Sequence, residues 1–133
     1  MKNVFADTAF YVAVVSAHDA LSPKAQDYAR RFRGRLLTTE YVLIEVGNFL
    51  SRSEDRALFP PLVRRVHGDP NTTIIWASHS LFEQGLDLYA QRMDKEWSLT
   101  DCISFVVMQQ HGITDALTGD HHFGQAGFRI LLK

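Results

Sequence analysis

Four acidic side chains far apart along the chain, Asp7, Glu45, Asp101 and Asp120, are the groups whose settings are hardest to explain as ordinary surface. Asp7 follows a short apolar run, "NVFA", that reads as a buried strand. Asp120 closes "LTGD" after another such run, with Thr118 two residues before it. Both therefore fall at the carboxyl end of a strand. Glu45 interrupts "YVLIEVGNFL", a helical stretch apolar on nearly every side, where an unpartnered ionised carboxylate would cost several kcal/mol. Gly47 weakens the same helix by roughly 0.5–1 kcal/mol relative to alanine, so close packing is expected there. Asp101 has a structural reading of its own. Ser98-Leu-Thr-Asp101 fits a capping box, and a helix N-terminus favours negative charge. Yet "LTDCISFVVM" is apolar nearly all round, which points to burial.

Four carboxylates in one pocket would repel and hold protons more tightly unless a cation neutralised them. All-oxygen ligation suits Mg2+ or Mn2+ and not zinc. Mg2+ keeps several waters and completes its shell with phosphate oxygens. The chemistry that follows is phosphodiester hydrolysis, by one ion or by two about 4 Å apart. His121 and His122 lack a further His or Cys at zinc spacing and read as loop residues. Asp115 opens the strand that Asp120 follows, at the end away from the crevice, and reads as a turn residue.

The elements that must position these groups alternate. Strands are expected at "NVFA", "RLLTT", "TTIIWA", "DALT" and "FRILL". Between them run an apolar helix, "AFYVAVVSA", which Thr8 can cap, and a helix in "SPKAQDYARRFRG". The latter has Ser22 as N-cap, Pro23 at the first helical position and Gly34 as its stop. Thr38 or Thr39 opens a helix through "EYVLIEVGNFLSR". An Arg-rich helical region from Ser53 to His67 is interrupted by Pro60 and Pro61. "LFEQGLDLYAQRM" is an amphipathic helix, "DKEW" a loop, and "SLTDCISFVVMQQHG" a helix closed by Gly112. Such alternation predicts an α/β fold with a central parallel sheet and helices on both faces. Its ligand crevice lies at the carboxyl ends of the strands, where strand order reverses.

With 133 residues and 46% hydrophobic content, a single domain spanning 1–133 is expected. The net charge of −1 argues against tight nonspecific nucleic-acid binding but leaves room for a local basic patch. The single cysteine, Cys102, fits a reducing compartment and a small core residue. "MKNVFADTAFYVAVVSA" faintly resembles a signal peptide, but Asp7 breaks its apolar run. No segment approaches the ~20 apolar residues needed to span a bilayer. A soluble cytoplasmic protein is the expectation.

With these residues in view, the sequence resembles the PIN domain family, and within it the VapC-type toxins of bacterial toxin–antitoxin pairs. The resemblance runs over essentially the whole chain, through "FADTAF", "TTEYVLIEVGNFL", "DKEWSLTDCISFVVM" and "ALTGDHHFGQAGFRIL". It implies a three-layer α/β/α sandwich and Mg2+- or Mn2+-dependent cleavage of RNA. Asp7, Glu45, Asp101 and Asp120 match the family's acidic quartet. Thr8 and Thr118 match hydroxyl positions beside the first and last acids. The resemblance also implies a small antitoxin protein as partner, although other PIN proteins process RNA without being toxins. The apolar content makes a homodimer plausible.

RNA needs cations for its phosphates. Most of the arginines, Arg30, Arg31, Arg33 and Arg35 in one group and Arg56, Arg64 and Arg65 in another, read as solvated helix faces. Arg52 is singled out because it falls two turns beyond Glu45, near the same helical face. Trp97, Phe123 and Tyr11 read as core before base-stacking groups. A phosphoacceptor signalling domain would need an aspartate after the third strand, where "WAS" stands. An Asp-x-Asp phosphatase is disfavoured by "DTA" after the first strand. A PIN-like module that binds RNA or a partner without cutting is the remaining alternative, and the complete quartet argues against it.

Overall fold

A computed structural model describes residues 2–133; Met1, the first residue of the expected 1–133 domain, lies outside the described residues. Five strands form one sheet: β1 (Asn3–Ala6), β2 (Arg35–Thr39), β3 (Thr72–Ile75), β4 (Asp115–Leu117) and β5 (Arg129–Ile130). All neighbouring pairs are parallel, in the order β3-β2-β1-β4-β5. Seven helices connect them: α1 (Thr8–Val15), α2 (Ser22–Arg31), α3 (Glu40–Phe49), α4 (Phe59–Gly68), α5 (His79–Gln91), α6 (Leu99–Gln110) and α7 (His121–Gln125). The expected α/β architecture with a central parallel sheet is present.

Strand order explains where a crevice must open. The connections from β1 to β2 and from β2 to β3 step one way across the sheet, and those from β3 to β4 and from β4 to β5 step the other way. Right-handed crossovers then place α1 to α4 on one face and α5 to α7 on the opposite one. The divergence falls between β1 and β4, which pair directly through Phe5 with Ala116 and Ala6 with Leu117. Beyond the carboxyl ends of these two strands no connection closes the gap.

The core is what the apolar runs predicted. Val4, Phe5 and Ala6 of β1 are fully buried, as are Ala116 and Leu117 of β4. Phe105 of α6 meets Phe123 of α7 edge-on, with ring centroids 4.9 Å apart. Tyr11, Trp97 and Phe123 are buried and Cys102 is a fully buried free thiol. Among the described residues no helix is long and apolar enough to cross a membrane.

Several boundaries differ from expectation for local reasons. Leu21, not Ser22, is the N-cap of α2, so Pro23 falls one position further in. Gly34 does not stop α2, whose C-cap is Phe32. Instead the chain there passes the carbonyl of Lys2 so closely that a Cβ would collide with it. Pro60 and Pro61 do not interrupt a helix. They occupy the first turn of α4, where a missing N–H costs nothing, after a single 3-10 turn at Arg56–Leu58. Gly112 ends α6 with φ +64, the left-handed geometry glycine adopts without strain. The strand within "FRILL" is short, Arg129–Ile130. The largest departure is α7, a helix where a loop was expected. Asp120 caps it by accepting from the His122 N–H at 2.9 Å, and buried Phe123 anchors it.

Candidate active site

Asp7 is the N-cap of α1, yet its carboxylate does no capping. The side chain is 3% exposed. Its Oδ2 accepts a hydrogen bond from the Thr118 hydroxyl at 2.9 Å. Its Oδ1 is buried with no hydrogen-bond partner among the described residues. Leaving such an oxygen unpaired costs on the order of 1–3 kcal/mol, more if charged, so the position calls for a ligand. Burial pushes the Asp7 carboxyl up to about 7, opposed by the Thr118 hydrogen bond and the nearby Thr8 backbone amide and reinforced by the Asp101 and Glu45 charges.

Thr8 is the first residue of α1 rather than its cap, and its hydroxyl donates to Glu45 Oε1 at 2.5 Å. Glu45 is half-buried on α3, a helix that Thr39 caps through the Val42 N–H at 3.1 Å. Although α3 is apolar on nearly every side, it is not buried on all of them: Ile44 and Phe49 are exposed. Gly47 lies against the ring of Phe59, the close packing expected of it.

Asp101 sits in the first turn of α6, where the Ser98 hydroxyl accepts from its backbone N–H at 3.0 Å. The capping reading is therefore right, but it does not exhaust the residue. The Asp101 carboxyl is buried, and that burial raises it to about 6. Repulsion from Asp120 and Glu45 adds to the rise, and a Ser98 backbone hydrogen bond and His122 oppose it. Thr118 links the last acid to the first: while donating to Asp7 it accepts from the Asp120 N–H at 3.1 Å. The four acids thus form one mutually interacting group, built on the ends of β1 and β4 and flanked by α3 and α6.

No lysine or arginine pairs with any of the four among the described residues. A buried unpaired carboxylate oxygen, an oxygen-rich donor set and two carboxyls lifted by burial and like charge together fit a hard divalent cation. Asp115 lies apart, at the amino end of β4, and is paired with Lys2 and Arg129.

Two placements differ from the sequence reading. The helical argument for Arg52 does not carry over, because α3 ends at Phe49 and Arg52 is exposed in the bend that follows. His122, read as a loop residue, lies in the acidic group instead. Its Nδ1 is 3.4 Å from Asp101 Oδ2 and 3.3 Å from Asp120 Oδ1. His121 is more exposed, with its Nδ1 3.7 Å from Asp120 Oδ1. The signal that could have found His122 was Asp120 as an N-cap followed three residues later by apolar Phe123, the start of a short anchored helix.

Comparisons with known proteins give the chain relatives over nearly its whole length. The PIN domain family matches residues 4–129. The chain is 30% identical over 129 residues to the 23S rRNA-specific endonuclease VapC20 of Mycobacterium tuberculosis, covering 94% of this chain and 95% of that protein. The crystal structure of VapC20, described as a Sarcin-Ricin loop cleaving toxin, superposes with a TM-score of 0.86 at 26% identity, over 94% and 95% of the two chains. A chain of FitAcB from Neisseria gonorrhoeae shares the fold with a TM-score of 0.66 at 14% identity, over 96% of each. The chain belongs to the PIN domain family and is a homologue of the VapC-type toxin endonucleases.

Proposed function

We propose that this protein is a Mg2+- or Mn2+-dependent ribonuclease, the toxin of a toxin–antitoxin pair, with Asp7, Glu45, Asp101 and Asp120 as its catalytic, metal-holding carboxylates. The observation that carries the reading is the buried Asp7 Oδ1, unpaired among the described residues, inside a group of acids to which none of those residues brings a lysine or arginine counter-charge. When bound, the ion supplies electrostatic stabilisation of the phosphodiester and a lower cost for deprotonating the attacking water. The protein's own part is positioning. Thr118 turns Asp7 so that one oxygen is satisfied and the other left for the ion. Thr8 fixes Glu45. Thr8 is also assigned to substrate binding, as is Arg52, exposed beyond α3, which would meet RNA phosphates; Thr118, expected beside them as a substrate-binding hydroxyl, is fully buried between Asp7 and the Asp120 N–H and is assigned to positioning alone.

VapC20 is named for 23S rRNA. By that likeness we assign structured ribosomal RNA as the substrate class. A small antitoxin is the expected partner, since a relative from Rickettsia felis, VapBC2, is known as a complex on promoter DNA. A homodimer is supported by Phe82, Leu86 and Tyr89, exposed at helical spacing on one face of α5. Leu86→Glu is expected to leave a monomer by sedimentation, against a wild-type dimer.

The decisive test is cleavage of a 23S rRNA stem-loop fragment with Mg2+ or Mn2+. EDTA is expected to stop it, and Asp7→Asn and Asp101→Asn each to abolish it. Equal cleavage by wild type and both variants would show the activity to belong to a contaminant and would end the reading.

A further inference from the structure

His122 is the more buried of two histidines beside the acidic group, and no role has yet been assigned to it. Its side chain is mostly buried, with Nδ1 set between two carboxylate oxygens on different elements: Asp101 Oδ2 at 3.4 Å and Asp120 Oδ1 at 3.3 Å. A protonated imidazole bonded to those carboxylates would draw in to about 2.7–2.9 Å. Both separations exceed that. Neighbouring ligands on an octahedral ion with bonds of about 2.0–2.1 Å sit about 2.9 Å apart, so movements of about half an ångström would seat all three atoms on one ion. The ligand atoms of Asp120, His121 and His122 also fall within 4.8 Å of one another.

The position is built, not incidental. Fully buried Phe123, the next residue, packs edge-on against Phe105 of α6, the helix that carries Asp101. At the other end of α7, Gln125 accepts from the Trp97 indole N–H at 3.0 Å. Asp120 holds the His122 backbone N–H at 2.9 Å. The first two ties hold α7 against α6 and against Trp97, the residue before the α6 N-cap; the third sets the start of α7, and together they fix the imidazole relative to both carboxylates. The second sign of a ligand is separate from the histidine: the buried Asp7 oxygen without a partner.

We propose that His122 Nδ1 is a ligand to the site's divalent cation, joining Asp101 and Asp120, and that it shifts the site's preference from Mg2+ toward Mn2+. The inference rests on the metal-dependent reading above. Imidazole is a softer donor than carboxylate, and first-row transition ions gain from it where Mg2+ does not. Binding through Nδ1 requires the neutral ring with its proton on Nε2. His121 stays outside the shell.

The test uses tag-free protein and MnCl2 or MgCl2 alone. Calorimetry gives the affinities, and pulsed electron paramagnetic resonance of bound Mn2+ reports directly bonded nitrogen. Wild type is expected to show histidine nitrogen coupling that persists in His121→Asn and vanishes in His122→Asn. Mn2+ affinity is expected to fall at least about ten-fold in His122→Asn, with a smaller loss for Mg2+. Wild-type protein that binds Mn2+ without nitrogen coupling would overturn the inference without recourse to any variant. So would coupling that survives His122→Asn, or equal losses for the two ions. Asp7→Asn tests the underlying reading separately: undiminished Mn2+ affinity in that variant would sink the acidic site, whatever His122 does.

Discussion

Two buried aspartates at opposite ends of the paired strands β1 and β4 have opposite electrostatic fates. Asp115, at the amino end of β4, is 8% exposed. It receives two hydrogen bonds from Arg129, at 3.0 and 2.9 Å, and lies 2.8 Å from Lys2 Nζ. These contacts hold its carboxyl below the usual range. Asp7, at the carboxyl end of β1, is 3% exposed and has no such cation among the described residues, and its carboxyl is pushed up to about 7. Burial is similar, so the difference is the partner. At one end the chain supplies its own counter-charge and the group holds the sheet together. At the other it withholds one, and the folded state carries a cost that a bound cation would remove.

Removing the Asp7 charge should have the largest effect. Asp7→Asn is expected to lower RNA cleavage by about three orders of magnitude or more. It should also make the metal-free protein more stable near pH 8, by roughly 3–4 kcal/mol, as read by urea unfolding in EDTA. Lost activity with lowered stability would instead mean that Asp7 is a structural group like Asp115, and the contrast would fail.

A pH titration of metal-free protein tests the same contrast without mutation. Asp7 rises from 3.8 to about 7 on folding and Asp101 from 3.8 to about 6. Their protonated forms therefore lend stability that is complete below about pH 4 and disappears as the pH passes through about 6 to 7. In EDTA the melting temperature should fall between about pH 5 and about pH 8, and added Mn2+ should restore it at the higher pH. Asp115 works in the opposite sense. Its folded value is lowered, so its contribution is present above the unfolded value and is lost as pH falls through the folded one. Asp115→Asn should cost about 1–2 kcal/mol at neutral pH, a modest figure because Arg129 and Lys2 are themselves largely exposed. Cleavage should be unchanged. A melting temperature in EDTA that is flat or rising with pH would remove the site's claim to uncompensated charge.

How much of this was legible beforehand follows from which interactions are local. The strands were readable because "NVFA" and "RLLTT" are bounded apolar runs. The acids at strand ends were readable because a parallel sheet brings all its carboxyl ends to one side. The capping of α6 by Ser98 is a three-residue pattern visible in any sequence. His122 was harder to read: the Asp120 cap and apolar Phe123 were its local signal, but its place beside the acids depends on Phe123 packing on Phe105, a contact made only in the folded chain. Arg52 failed for the converse reason: helical spacing was extended past Phe49, where α3 stops. Gly34 looked like a helix stop, but its cause is the Lys2 carbonyl passing beside it.

The smallest expected effect tests how finely the two ends are distinguished. Thr118 is fully buried, donates to Asp7 Oδ2 and accepts from the Asp120 N–H, so one hydroxyl sets two of the four acids. Thr118→Val keeps the shape and removes both bonds. That leaves the Asp120 N–H and the second Asp7 oxygen without their partner, at a cost of about 1–3 kcal/mol. Thr118→Ser keeps the hydroxyl and gives up only a methyl group, near 1 kcal/mol. If Thr118 acts by orienting carboxylates, cleavage should fall roughly ten-fold in the valine variant and recover most of that in the serine variant, although both lose stability. Because the Thr118 hydrogen bond opposes the rise in the Asp7 carboxyl, its removal should also move the loss of metal-free stability to higher pH in the valine variant alone. Equal losses of cleavage in the two variants, with no displacement of the pH profile, would reduce Thr118 to a packing residue and leave the orientation of Asp7 to the backbone of β1.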